Sequence, residues 1–169
     1  MQSVHTHSQT GRPAPSSATI LSEQSPAVEG PCVSLIKLAN YIPLHGMDWS
    51  ARRVAEALCN FFDAECRHHH QEQETGLFRT LLRQAGDSDT LRRVEALIQE
   101  LRGQHQTLVH SWQQMRQVLS DIAFCRPTTL SGKEAVRFAT LYRDHVELEE
   151  RLLRPLSSQI LGAQLGMAQ

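Results

Sequence analysis

One line of apolar side chains constrains the fold of this chain more than any other feature. Between residues 94 and 122, apolar positions recur at alternating steps of four and three residues, which is the period of a buried helix face. The positions are Val94, Ile98, Leu101, Leu108, Trp112, Met115, Leu119 and Ile122, with His105 as the one polar member of the line. No segment alternates with period two over a useful length, so no strands are predicted. The fold is expected to be all-α.

Capping and turn residues divide the chain into one short and three long predicted helices. The short helix covers residues 32–42, because Pro43 and Gly46 would end it. Asp48, the Asp87-Ser88-Asp89 turn and Ser131 are typical residues at helix starts. The long helices are predicted over residues 49–84, 90–124 and about 131–161. Joined by short turns, they make an antiparallel up-down four-helix bundle with a short first helix.

The length of 169 residues favours one domain with a real core. Residues 1–30 are rich in Ser, Thr, Gln, Pro and Gly and lack an apolar period, which predicts a disordered N-terminal arm. Residues 31–162 are assigned to the bundle and residues 163–169 to a C-terminal tail.

Charge and hydropathy narrow the classes of partner. The 17 basic residues nearly cancel the 18 acidic ones, so there is no basic stripe for a phosphate backbone, and nucleic acid is not expected as a partner. Apolar runs are far shorter than the roughly 20 residues that cross a bilayer, and the N-terminus has no leader-like pattern. We therefore expect a cytoplasmic protein that does not enter a membrane.

Histidine interrupts the apolar face of each long helix near its middle. His69 and His105 lie at nearly equal sequence distances from the turn at Ser88. Because antiparallel neighbours bring such positions to one height, the two rings should meet, and His145 on the last helix lies close to the same level. Glu149 follows His145 by four residues and shares its helix face. One layer of the core should therefore hold three imidazoles and a carboxylate.

Such a layer predicts a bound cation. Imidazoles and a carboxylate in apolar surroundings without one would carry a desolvation cost of several kcal/mol. The predicted ligands are His69, His105, His145 and Glu149. For any single histidine the alternative is a core residue hydrogen-bonded to a neighbour. Nitrogen and oxygen ligands of this kind suit iron, manganese or zinc.

Two blocks carry a resemblance to a known family. The first is Phe62-Asp63 followed by His69-His70-Gln71-Glu72-Gln73-Glu74-Thr75-Gly76-Leu77-Phe78, and the second is Phe138, Leu141-Tyr142, His145, Glu149-Glu150, Leu153 and Pro155. With His105 between them, they resemble the hemerythrin-like, or HHE cation-binding, domain over roughly residues 48–155. The resemblance implies a helical bundle around a non-haem di-iron centre that binds oxygen or a related small molecule, or senses redox state or iron.

Two ligands that the resemblance implies are missing. Gln73 stands where a bridging glutamate is expected, and Cys32-Val33 stands where Cys-His is common. His70 and Glu74, displaced by about 100° around the helix, could substitute if the helix rotates, and otherwise lie on a solvated charged face. His45, His68 and His110 are placed outside the site. The remaining ligands should hold one ion tightly, or a di-iron centre only weakly.

The leading functional prediction is a non-catalytic iron-binding protein that binds or senses oxygen, nitric oxide or iron. The alternative is a bundle that has lost its metal and serves as an interaction module, and an enzyme that consumes peroxide or repairs iron–sulfur clusters ranks third. No nucleophile–base pair or glycine-rich phosphate loop argues for other chemistry. Metal affinity should fall below about pH 6.5, because imidazole ligands must be neutral. The number of ions, the small ligand, the oligomeric state and the role of the arm stay open.

Overall fold

The computed structural model describes residues 27–166, without the side chains of residues 65, 66 and 163–166. The arm predicted for residues 1–30 lies outside the described residues up to residue 26, and its last two residues already belong to a helix. At the other end, the last helix continues to Gly166, past the predicted end near residue 161.

Four helices, α1 to α4, account for the described residues, and no strand occurs among them. Helix α1 is Glu29–His45 and α3 is Ser88–Ala123. Helix α2 spans residues 49–84 and α4 spans residues 132–166, each with π-helical turns inside a continuous helix. The parts of α2 are Trp49–Phe61, the π turn Phe62–Cys66, Arg67–Glu72, the π turn Gln73–Leu77 and Phe78–Gln84; those of α4 are Gly132–Leu148, the π turn Glu149–Leu153 and Arg154–Gly166. The predicted all-α fold is confirmed.

The predicted helix starts rest on side-chain caps. The Asp48 carboxylate accepts a hydrogen bond from the Ala51 amide at 2.8 Å, and the Asp87 carboxylate accepts from the amides of Asp89 and Thr90. Ser131 Oγ accepts a hydrogen bond at 3.3 Å from the amide of Glu134, three residues farther along the chain. Each bond satisfies an amide that the first helical turn leaves without a partner. Helix α3 begins two residues before the predicted start.

Helix α1 has 17 residues, so the prediction of a short first helix is wrong. It begins three residues before Cys32 and continues through Pro43 to His45. Pro43 lies inside the last turn, where it removes one helical N–H donor. Gly46, with a φ of 74°, ends the helix by donating its amide to Ile42 O at 2.8 Å.

A polar layer divides the core into two apolar clusters. On α3, Leu101 belongs to one cluster and Leu108 to the other, with the buried ring of His105 between them. The α2 and α4 helices pass through the same layer in the opposite direction to α3. Helix α1 packs only against the cluster that contains Leu108. The middle parts of α2, α3 and α4 therefore lie at one level of the bundle.

Candidate metal centre

A π turn decides which histidine of α2 faces the centre of the bundle. In a regular helix Phe62 and His69 would share a face, since seven residues make nearly two turns. The π turn Phe62–Cys66 inserts one extra residue. Phe62 and His70 are consequently both buried, whereas His69 lies at the edge of the core. The alternative prediction of a solvated His70 is wrong, because the π turn rotates this side chain into the core.

Three imidazoles converge in the polar layer. The ring of His70 stacks on that of His105 with 4.1 Å between centroids, and His145 stands edge-on to both at 5.0 Å. One nitrogen from each of the three rings lies within 4.8 Å of the other two. All three rings are buried. His105 and His145 were expected in this layer, and His70 occupies the place that the sequence assigned to His69.

Two of these rings are held from outside by hydrogen bonds at Nδ1. His105 Nδ1 donates to Glu74 Oε1 at 2.7 Å, and His145 Nδ1 donates to Gln104 Oε1 at 3.0 Å. With the proton on Nδ1, each ring presents the lone pair of Nε2 to the core. The Nε2 atoms of His70, His105 and His145 are buried without a hydrogen-bond partner. Outer bonds that fix the ring and leave the inner nitrogen free are typical of histidine metal ligands.

Glu149 supplies the carboxylate of the layer. It is the single buried carboxylate among residues 27–166, leaving aside the side chains that are not described. Its Oε1 lies 3.2 Å from His145 Nε2. When Nδ1 carries the ring proton, both of these atoms are acceptors. A cation or a second ring proton would relieve their repulsion.

Burial lowers the pKa values of two imidazoles in the layer, and contacts with neighbouring rings lower that of the carboxylate. Burial, followed by the nearby His105 and His145 rings, lowers the pKa of His70 to about 3. Burial also lowers the pKa of His105, against the opposing effect of Glu74. Burial alone would raise the pKa of Glu149, but its contacts with His145 and His69 outweigh this and lower it. At neutral pH His70, His105 and Glu149 therefore have the protonation states that a metal ion requires.

Gln73 faces Glu149 from the opposite helix. Its Nε2 donates to Glu149 Oε1 at 2.5 Å and lies 3.0 Å from His69 Nε2. His69 Nε2 in turn lies 3.2 Å from the same carboxylate oxygen. His69 and Gln73 thus hold the Glu149 carboxylate rather than join the three-histidine cluster. Where a second carboxylate would add negative charge, the amide adds none.

The other sequence candidates lie at the edge of the layer or outside it. Glu74 is partly exposed and reaches only the outer nitrogen of His105. His45, His68 and His110 are exposed, as expected. Gln104 was missed by the sequence reasoning, although it directly precedes the seam residue His105.

Helix α1 contributes no ligand from its described residues. It runs antiparallel to α4: Cys32 Sγ contacts Ala139 O, and Glu29 forms a 2.7 Å ion pair with Arg143. The level of His145 is therefore reached only at the N-terminal end of α1. Val33, which stands at the position of the expected histidine, lies more than a turn away from that level.

The family model of the hemerythrin HHE cation-binding domain matches residues 34–157. The chain belongs to this family. An uncharacterized protein of Haemophilus influenzae is 26% identical to the chain over 121 residues, which are 72% of this chain and 67% of the relative. No solved structure is significantly similar to this chain. Within residues 27–166, no helix has the length and apolar character needed to cross a membrane.

Proposed function

We propose that this HHE-domain protein binds one non-haem iron ion through His70, His105, His145 and Glu149, and uses it to bind or sense oxygen or nitric oxide. The proposal differs from the sequence prediction at one ligand, with His70 in place of His69. The observation that carries it is the convergence of three buried imidazoles, whose Nε2 atoms lack partners, in a layer that also contains a buried carboxylate. Leaving so many polar groups unpaired in a core is costly, and a metal ion satisfies them together.

A single ion fits the charge of the layer better than two. Glu149 is ionised, and the imidazoles are neutral ligands, so one negative charge faces the cation. A di-iron centre in a four-helix bundle normally draws carboxylates from several helices. Here Gln73 occupies the opposite wall, and its amide already uses Glu149 Oε1. A second ion would lack both charge compensation and ligands.

Iron is the ion that we propose, because imidazole and carboxylate donors with positions left open are typical of non-haem iron proteins. Bound there, iron would supply reversible binding of a small diatomic ligand. The protein's own residues would orient the donors: Glu74 and Gln104 fix the rings of His105 and His145, and His69 holds Glu149. The two apolar clusters flank the layer on either side.

Metal content measures the proposal directly. Protein purified from iron-supplied cells should contain about one iron per chain by elemental analysis. His145→Ala should lose the metal, whereas His110→Ala, which removes an exposed histidine of α3, should retain it. Two irons per chain would contradict the single-ion site.

The melting temperature separates this proposal from the interaction-module alternative. A ligand of the folded state stabilises it, so iron should raise the melting temperature and a chelator should lower it. A melting temperature that responds to neither would favour the bundle without a metal. Consumption of peroxide by the metal-loaded protein would instead favour an enzyme.

A further inference from the structure

A cavity lies beside the histidine cluster, between α2, α3 and α4. Its volume is about 300 Å³. The walls are mainly apolar and aromatic, formed by Phe62, Leu108, Val109, Trp112 and Tyr142. Three polar side chains complete the lining, namely Arg67, Gln113 and His70. The cavity thus leads from the surface to one of the proposed metal ligands.

The size of the cavity exceeds what a diatomic molecule needs. One water molecule takes about 30 Å³ in the liquid, and a diatomic is of similar size. A volume of about 300 Å³ is instead at the lower end of the range for small organic ligands. Its mainly apolar lining with a few polar groups has the composition of such sites.

The aromatic wall is fixed before any ligand enters. Trp112 Nε1 donates to Asp63 Oδ1 at 2.9 Å, and Arg116 holds the same carboxylate at 2.7 Å. The ring of Phe62 packs against Trp112 with 4.9 Å between centroids. A flat apolar ligand could therefore pack against rigid rings, and little conformational entropy would be lost in ordering these side chains.

The charge of the lining favours an anion. Arg67 is exposed and is the lining residue that always carries a charge. Among the side chains that the structure describes, no carboxylate lies within ion-pair distance of Arg67 and none lines the cavity. An anionic group at the mouth would therefore meet a cation that forms no ion pair with any described side chain.

We propose that the cavity binds a small aromatic carboxylate, with its ring against Phe62 and Trp112 and its carboxylate at Arg67. A ring in this position reaches His70 from the side of the cavity, so a bound ligand would alter access to the histidine cluster. The inference depends on the cavity and not on the metal, and it is tested first on the metal-free full-length chain.

Fluorescence of Trp112 reports occupancy. The chain has two tryptophans, and Trp49 is exposed and does not line the cavity. In the Trp49→Phe variant, phenylacetate should quench or shift the emission of Trp112 with a Kd of about 1 mM, as expected for so small a ligand. The neutral isostere phenylacetamide should bind at least about fivefold more weakly. Equal binding of the two compounds, or no response to either, would overturn the proposal.

Two substitutions in the Trp49→Phe background locate the ligand. Arg67→Gln should remove the preference for phenylacetate over phenylacetamide, whereas Arg79→Gln, an exposed arginine farther along α2, should keep it. Val109→Phe should fill the cavity and abolish the response to both compounds; Val109 is half exposed, so the fold should tolerate the change. A response that survives Val109→Phe would place the ligand elsewhere and overturn the assignment.

Repeating the titration with iron-loaded protein separates this inference from the proposed function. If the protein binds phenylacetate but never takes up iron, the cavity site is supported and the iron site is refuted. Iron binding without any fluorescence response would do the reverse.

Discussion

The two segments with a histidine followed by an acid or amide four residues later, residues 69–78 on α2 and 145–153 on α4, look equivalent in sequence but differ in structure. In each, a π turn begins four residues after the first histidine, at Gln73 and at Glu149. The α4 copy is preceded by a regular helix, so His145 and Glu149 face the core together. In the α2 copy an earlier π turn brings the following residue, His70, into the core. Equal spacing therefore predicts equal placement only where the preceding helix is regular.

The two segments also contribute different groups to the site. The α4 segment (the α4 half) provides the His145 ring and the Glu149 carboxylate, whereas the α2 segment (the α2 half) provides the His70 ring and the neutral amide of Gln73. His69 and Gln73 then hold the carboxylate that α4 contributes. The asymmetry between the copies is the physical reason for expecting one ion.

Removing the carboxylate of the α4 half should have the largest effect. Glu149→Gln eliminates the negative charge of the layer, and the metal dissociation constant should rise by more than about 100-fold, beyond the loss typical of outer partners. A competition titration with a chromophoric chelator measures it. Glu147→Gln on the exposed side of α4 is the matched control. Unchanged affinity in Glu149→Gln would remove the carboxylate from the site.

Restoring the acid of the α2 half should make the copies more alike. In Gln73→Glu a second carboxylate replaces the amide that now lies 2.5 Å from Glu149 Oε1. The metal-free variant should melt at a lower temperature because two buried carboxylates repel. With excess iron the stoichiometry should rise from one towards two per chain. A stoichiometry that stays at one, with unaltered stability, would refute the role assigned to Gln73.

The partner that orients the α4 ring should matter less than the ligands. Gln104→Ala frees His145 Nδ1, and loss of such an outer hydrogen bond typically weakens metal binding 10–100-fold. Gln106→Ala, an exposed glutamine two residues farther on α3, should have no effect. If both variants bind iron like the parent chain, Gln104 does not support the site.

Acid should destabilise the metal-free protein because His70 on α2 is buried as a neutral ring. The unfolded His70 takes up a proton near pH 6.5, whereas the folded ring, with a pKa of about 3, does not. Stability should therefore fall as pH drops through this window, by about 1.4 kcal/mol per pH unit for one such group. Denaturant melts of the parent chain and of His70→Leu measure it, and the variant should show the shallower slope. Identical slopes would argue against a neutral buried His70.

The same shift changes the pH at which metal should be lost. The sequence alone places the loss below about pH 6.5, because free imidazoles gain protons there. In the folded chain the His70 and His105 rings stay neutral to lower pH. Retained iron at pH 5 is consequently compatible with histidine ligation as long as the chain remains folded.

Local signals in the sequence predicted most of the fold. The caps Asp48, Asp87 and Ser131 marked three helix starts, and the four-three period of α3 placed His105 in the core. The π turns left no such signal, because the choice between a bond to the fourth or the fifth preceding residue is set by packing against other helices. That choice is what exchanged His69 for His70. Gln104 escaped notice for a similar reason, since its contact with His145 exists only after α3 and α4 pack.

The iron content of two neighbouring alanine variants distinguishes His70 from His69 as the metal ligand. His70→Ala should lose most of its iron by elemental analysis, because it removes a ring from the three-histidine cluster. His69→Ala should retain iron with lower affinity, since His69 contacts Glu149 and lies outside that cluster. The reverse result, with iron lost from His69→Ala and kept by His70→Ala, would contradict the account.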